Sequence, residues 1–315
     1  VEFQASLKLQ AIGRILERIN PERWFAYFNS IVLKISTDAF GQLPAEWGLN
    51  KPPKDRMSNP IFNDKIVELL HEGKVEIVPA LRNITASGDI ELSNGHVISD
   101  VDTIILCTGY TYDFSHVPES VNPTRFKNAQ WEATDRTNGR ELYRLYQGIF
   151  SLDCPDSLAY LGVAGYPSSQ FPLYDLVTMA LAQVWKGAVK LPSQEEMNAE
   201  VDKRHATLLS RAAEDGLQIV PFEMDAGAWT KWLHDVAGTG FNERFNYGLK
   251  GWWYWLKDFR NMSNLMSGVN SPHLWRLFDG RRKKWDGAAK AIQKVNEDIS
   301  RRKREASGSR KTKMK

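Results

Sequence analysis

The sequence predicts an α/β fold with a helical C-terminal extension, and three observations carry that expectation. Two continuously apolar runs, Thr103-Ile-Ile-Leu-Cys107 and Leu158-Ala-Tyr-Leu-Gly-Val163, have the character of strands covered on both faces in a parallel sheet. The second passes through Ala164-Gly-Tyr-Pro-Ser-Ser169 into an apolar helix from Phe171 to Lys186, the strand, small-residue turn and helix of a ligand-binding crossover. Helical periodicity occupies the beginning and the last third of the chain.

From the N-terminus, Leu9, Ile12, Leu16 and Ile19, then Phe25, Phe28, Val32 and Ile35, recur at helical spacing on either side of Asn20-Pro21, which predicts two amphipathic helices joined there. Residues 39 to 59 hold three prolines and no sustained period, so they read as a loop. Asn59-Pro60 opens a short helix that Gly73 closes. Alternation at Val75 to Val78, Ile84 and Ile90 to Leu92 predicts short strands, with Ser93-Asn-Gly-His96 as a hairpin turn. Gly187 ends the helix that starts at Phe171, and Ser193 with Glu196 forms a capping box for a helix from Gln194 to Gly216. Residues 217 to 300 read as further helix and loop, with Gly238-Thr-Gly240 in a loop because no apolar strand precedes it.

Composition narrows the class of protein. At 315 residues, with 42% hydrophobic and 25% charged side chains, the chain has the content of a globular protein of roughly two domains. Only Cys107 and Cys154 are present, which excludes a disulfide scaffold and points to a reducing compartment, the cytoplasm. No apolar run reaches the ~18 residues of a membrane span, so no transmembrane segment is expected. The six histidines are dispersed, so no metal site is expected. The net charge of +3 resides in residues 301 to 315, without which 33 basic and 37 acidic residues remain. That run has no interleaved aromatics, so it reads as a disordered basic tail and no nucleic-acid partner is expected. Five of the eleven tryptophans, Trp229, Trp232, Trp252, Trp253 and Trp255, fall close together, as in a packed helical subdomain.

The most informative stretch is Asp102-Thr-Ile-Ile-Leu-Cys-Thr-Gly-Tyr110. An apolar strand ending in Thr-Gly brings a backbone without a Cβ to the strand's carboxyl end, where a planar ligand or a phosphate can approach closely. It resembles the strand-ending Ala-Thr-Gly-Tyr motif of the flavin-containing monooxygenases and their Baeyer–Villiger relatives, with Cys107 in the Ala position. The resemblance continues in order: Asn59-Pro-Ile and Leu69 to Val78, Ser93 to Asp102, Leu158 to Val163 with Pro167 to Pro172, Val184 to Ser193, and finally Ser271 to Gly280 with Trp285 to Ile292.

That resemblance implies a fold, cofactors and a reaction. The chain is then the C-terminal part of a flavoprotein with two dinucleotide-binding domains. Residues 1–58 lie at the edge of the NADPH domain, 59–110 hold its last helix, hairpin and connecting strand, and 111–300 form the second half of the FAD domain. The implied activity is a monooxygenase that uses FAD and NADPH, with dioxygen and a small organic molecule as substrates, through a C4a-hydroperoxyflavin. The implied cofactor-binding residues are Thr108, Gly109 and Tyr110, and Pro167, Ser168, Ser169 and Gln170, whose turn would offer amide groups at a helix N-terminus. The catalytic residues and the oligomeric state are left open, and Trp131, Trp252 and Trp253 are candidates for a substrate wall. No Gly-x-Gly-x-x-Gly occurs in the sequence, so this portion is expected not to hold FAD tightly alone. The alternative is a catalytically silent remnant that serves as an interaction module.

Overall fold

The computed structural model describes residues 6–49, 63, 65–107, 112–137, 139–165, 170–214, 221, 223–245, 253, 256–257 and 259–313. The chain forms two compact units, one of residues 25–112 and one of residues 2–24 with 113–315. Helix α1 (Leu7–Ile19) starts at Ser6, whose hydroxyl accepts from the Leu9 amide, and Asn20 separates it from α2 (Pro21–Phe40), where Pro21 supplies a pre-set first turn.

In the first unit the helical part of α2 is followed by a turn of 3-10 helix, Ala45–Trp47, that Gly48 closes at φ 65°. Helix α3 (Ile66–His71) is shorter than the sequence predicts, and the beginning of the expected helix lies outside the described residues. Three strands follow, β1 (Leu81–Ile84), β2 (Ile90–Leu92) and β3 (Val97–Ile98), in an antiparallel sheet of order β1-β2-β3. Ile84 pairs with Ile90 and Ile90 with Ile98, and the hairpin turn is where the sequence predicts it, with Gly95 at φ 83° and the Leu92 amide donating to His96 O at 2.8 Å.

Two expected strands are not formed. Val75 to Val78 has no ladder partner among the described residues, and neither has Thr103 to Cys107. Ile105 and Leu106 are 80% and 78% exposed. The physical reason is that an all-apolar strand needs sheet neighbours and cover on both faces, and within this unit the strands are short and antiparallel.

In the second unit a hairpin joins β4 (Leu145–Tyr146) to β5 (Phe150–Ser151). Of the three residues between them, Gln147 and Gly148 have positive φ, 51° and 64°, and the Ile149 amide donates to Tyr146 O at 3.0 Å. The expected strand Leu158 to Val163 reduces to one antiparallel bridge, Phe150 with Ala159, because β5 is only two residues long and offers no further ladder positions. Among the described residues the only parallel pairing is the bridge of Gly165 to Glu223. The α/β expectation therefore holds as mixed helix and small sheets, without a parallel sheet in the described residues.

Helices dominate the rest: a short α4 (Ala129–Glu132), then α5 (Gln170–Trp185), α6 (Gln194–Glu214), α7 (Ala226–Ala237), α8 (Phe241–Phe245), α9 (Phe259–Ser267) and α10 (Ala288–Lys313). Gly187 closes α5 at φ 76°. The capping box of α6 is formed in full, Ser193 N donating to Glu196 Oε2 at 2.9 Å and Glu196 N to Ser193 Oγ at 3.2 Å. The main core gathers Leu173, Leu176, Val177 and Ala180 of α5 against Trp229, Leu233 and Ala237 of α7, with Phe150 beneath. Each such aliphatic burial is worth about 1.5–3 kcal/mol, which fixes α5 far more firmly than its propensity does.

The charge run at the end is a correction. Residues 301–313 continue α10 instead of forming the expected disordered tail. A helix already nucleated on buried Ala288 and Ile292 extends at little cost, and Arg301 pairs with Asp298 and Glu305 one turn away on either side.

One buried group gives the fold a pH dependence. His205 of α6 is 7% exposed, its neutral ring donates through Nε2 to Tyr143 O at 3.2 Å, and burial followed by the nearby Arg204 charge lowers its pKa to about 4. The unfolded chain takes up this proton near the ordinary histidine value and the folded chain does not. Stability is therefore intact above pH ~6.5 and falls progressively to pH ~4, by about 3 kcal/mol from this group. Urea unfolding of the protein and of His205→Gln across that window is expected to show a shallower acid loss in the variant.

Candidate functional site

Of the seven residues that the resemblance assigns to cofactors, Thr108, Gly109, Tyr110, Pro167, Ser168 and Ser169 lie outside the described residues. Gln170 is described, as the first residue of α5. The candidate site is thus built here from the elements that hold the N-terminal end of α5 in place.

That end is approached from Gly165, whose carbonyl accepts from the Met224 amide at 2.9 Å. Just upstream, the Tyr160 amide donates to Ile149 O at 2.8 Å, which ties the 158–165 segment to the β4–β5 hairpin. Gln170 and Phe171 point outward, Phe171 being 83% exposed, and no acidic side chain occupies the first turn of α5. A helix start without acidic side chains in its first turn leaves the positive dipole end without a carboxylate there.

The next turn of α5 is clamped by the segment around 272–276, a turn of 3-10 helix. Trp275, 4% exposed, donates its indole N–H to Pro172 O at 2.9 Å. Arg276 grips Asp175 with both nitrogens, at 2.5 and 2.7 Å, and also donates to Pro272 O at 3.0 Å. The hydrogen bonds to Asp175 raise the Arg276 pKa further, so the guanidinium stays charged. Behind Trp275 stands His234, edge-on at 4.7 Å between ring centres, and Phe241 stacks on that histidine at 4.6 Å. His234 Nδ1 meets the Thr239 hydroxyl at 2.8 Å.

A crossing of glycines holds the far side of this cluster. Gly238 ends α7 at φ 62° and Gly240 follows at φ 67°, with the Arg281 amide donating to Gly238 O at 3.0 Å. A Cβ on Gly280 would run into the Gly238 carbonyl and sit 2.9 Å from Gly240 N. The loop assignment of Gly238-Thr-Gly240 holds, and its glycines serve close backbone packing.

Other candidate residues have plainer roles. Trp131 is 2% exposed, with its N–H on Arg140 O at 2.6 Å, Trp253 is 67% exposed, and Trp252 lies outside the described residues. Trp229 packs in the core and donates to Gln147 O at 3.1 Å, which supports packing as the use of that tryptophan. Asp113, near His116 and Glu119, accepts from the Ser115 amide in a solvated turn, and that bond holds its carboxyl below the usual range. Among the described residues no helix is long and apolar enough to cross a membrane, and no group of three or more His, Cys, Asp or Glu could hold a metal ion.

The clamp was missed by sequence reasoning. Its signal is Asp175, a carboxylate interrupting the apolar run from Leu173 to Val184, and Arg276 in the last resembling segment; spacing alone does not join them across 101 positions.

Comparison with known proteins places these elements. The "Monooxygenase aurF" of Gibberella zeae is 34% identical over 298 residues, covering 95% of this chain and 56% of that protein. "Flavin-containing monooxygenase 3" of Rattus norvegicus is 25% identical over 268 residues, 84% of this chain and 44% of the relative. "Flavin-containing monooxygenase 5" of Homo sapiens is 26% identical over 255 residues, 80% and 42%. The chain thus spans about half the length of the curated relatives it matches. The model of flavin-binding monooxygenase-like proteins matches residues 29–314, which include α5, its clamp and the glycine crossing, and the chain belongs to that family.

Proposed function

We propose that this chain forms part of a flavin-dependent monooxygenase that uses FAD and NADPH to transfer one oxygen atom from dioxygen to a small organic substrate. The observation that carries the reading is the family match over residues 29–314, which spans the clamped start of α5. The described residues fit such a cofactor: the α5 terminus is exposed, unopposed by acidic side chains, and fixed in position by Trp275 and Arg276.

When bound, the flavin supplies the electron transfer from NADPH and the activation of oxygen. This chain's own contribution is orientation. The amides at the start of α5 would face electron-rich atoms of the cofactor, with Gln170 beside them, and the Asp175–Arg276 pair keeps that end from shifting. Thr108, Gly109 and Tyr110, and Pro167 to Ser169, are proposed as the remaining contacts on the resemblance stated above. Because the matched relatives are about twice as long, tight FAD binding is proposed to need sequence beyond this chain.

The test compares this polypeptide with the complete product of its source transcript. Oxygen uptake with NADPH, FAD and a panel of thioethers, amines and cyclic ketones is expected for the complete product, with one oxygen gained by the product molecule. Absence of bound flavin and of uptake in the complete product would overturn the reading in favour of an interaction module. Stoichiometric flavin on the present chain alone would overturn the proposed need for further sequence.

A further inference from the structure

Residues 75–107 of the first unit leave much aliphatic surface in water. In the antiparallel sheet Leu81 pairs with Leu92 and Ile84 with Ile90, and residues paired across two strands share a face. On that face Ile90 and Leu92 of the central strand are buried, whereas Leu81 and Ile84 of β1 are each 49% exposed. Ile77 and Val78, ahead of β1, are exposed as well, and so are Ile105 and Leu106 beyond β3. Single exposed aliphatics need no explanation, but this density in one short stretch marks a contact surface.

The backbone sets the kind of partner. Among the described residues β1 and β3 are the edges of the sheet, each paired on one side only. Exposed edges are ordinarily blunted by charge or proline, and Thr103 to Cys107 holds neither. A continuously apolar strand of that kind belongs between parallel neighbours, each added through a crossover of a dozen or more residues. The described residues of this unit have no parallel pairing, and a second copy of the chain would offer the same short antiparallel edges. The matched relatives, in contrast, are about twice as long as the part this chain aligns with.

We infer that residues 75–78 and 103–107 form a docking surface for the part of the longer protein that lies outside this chain, which adds strands parallel to 103–107 and covers Ile105 and Leu106. The inference rests on the proposed longer protein and not on its oxygen chemistry.

The experiment compares this chain alone with the complete product of its source transcript by amide hydrogen exchange and by one substitution. The amides of 103–107 are expected to exchange about 100-fold or more slowly in the complete product than in this chain. Leu106→Asp is expected to move the thermal midpoint of this chain by no more than about 1 °C, because that side chain already lies in water, and to lower the midpoint of the complete product by about 5 °C or more. Equal exchange in the two proteins, or equal shifts on substitution, would overturn the inference. So would protection in this chain alone that grows with its concentration, which makes a second copy the occupant, and so would a source transcript that encodes no further sequence. Should the substituted complete product fail to fold, the exchange comparison still decides. Protection in a complete product that holds no flavin would count against the monooxygenase reading and leave the docking surface standing; flavin and oxygen uptake without protection would do the reverse.

Discussion

Trp275→Ala is expected to lower the unfolding free energy by about 4 kcal/mol, the largest effect of any single truncation near the start of α5. The indole is 4% exposed and is flanked by His234 and Phe241, so its removal leaves a cavity that the packed rings cannot fill. It also strips the indole donor from Pro172 O, a buried hydrogen bond. Trp275→Phe separates the two effects: it keeps a ring and loses only the N–H, and is expected to cost about 1–2 kcal/mol. Urea unfolding measures both. A loss below about 1.5 kcal/mol for the alanine variant would mean that the clamp does not hold α5.

Gly280→Ala is expected to be comparably severe, at about 3 kcal/mol or more, although it adds one methyl group. The obstruction is backbone: the new Cβ would meet the Gly238 carbonyl and Gly240 N, neither of which can swing aside like a side-chain end. Gly238 and Gly240 are themselves in left-handed conformations that other residues adopt reluctantly. The expected readout is a lowered denaturation midpoint or loss of soluble protein. Gly73→Ala is the contrast, since that glycine has positive φ, 66°, and its Cβ meets nothing within 4 Å, so its cost is conformational strain without a clash. A cost at Gly280 no greater than at Gly73 would refute the close-crossing account.

Local signals in the sequence were legible wherever local chemistry decides the structure. The break at Asn20-Pro21, the Ser93-Asn-Gly-His96 turn, the Ser193–Glu196 box and the ends at Gly73 and Gly187 all rest on interactions within a few residues. The two apolar strands failed for the opposite reason. Thr103 to Cys107 and Leu158 to Val163 have the composition of buried strands, but a strand exists only by its neighbours. Charge misled at residues 301–313, where continuation from a packed helix outweighed a polar composition. As for the candidate site, the resemblance pointed to α5, whose preceding turn lies outside the described residues, whereas the Trp275 and Arg276 contacts are long-range and have no local signature.

The same clamp has a consequence for the order in which the protein is made. Pro172 and Asp175 lie 103 and 101 positions before the side chains that secure them. At a ribosomal pace of ~5–20 residues per second, α5 emerges roughly 5–20 s before Trp275 and Arg276 exist. During that interval its apolar side and the Asp175 carboxylate are without their final partners, and a nascent chain halted before residue 275 carries an unsecured helix. The end of α5 is therefore among the last parts of the protein to be completed, and newly made chains are most open to chaperones and proteases there.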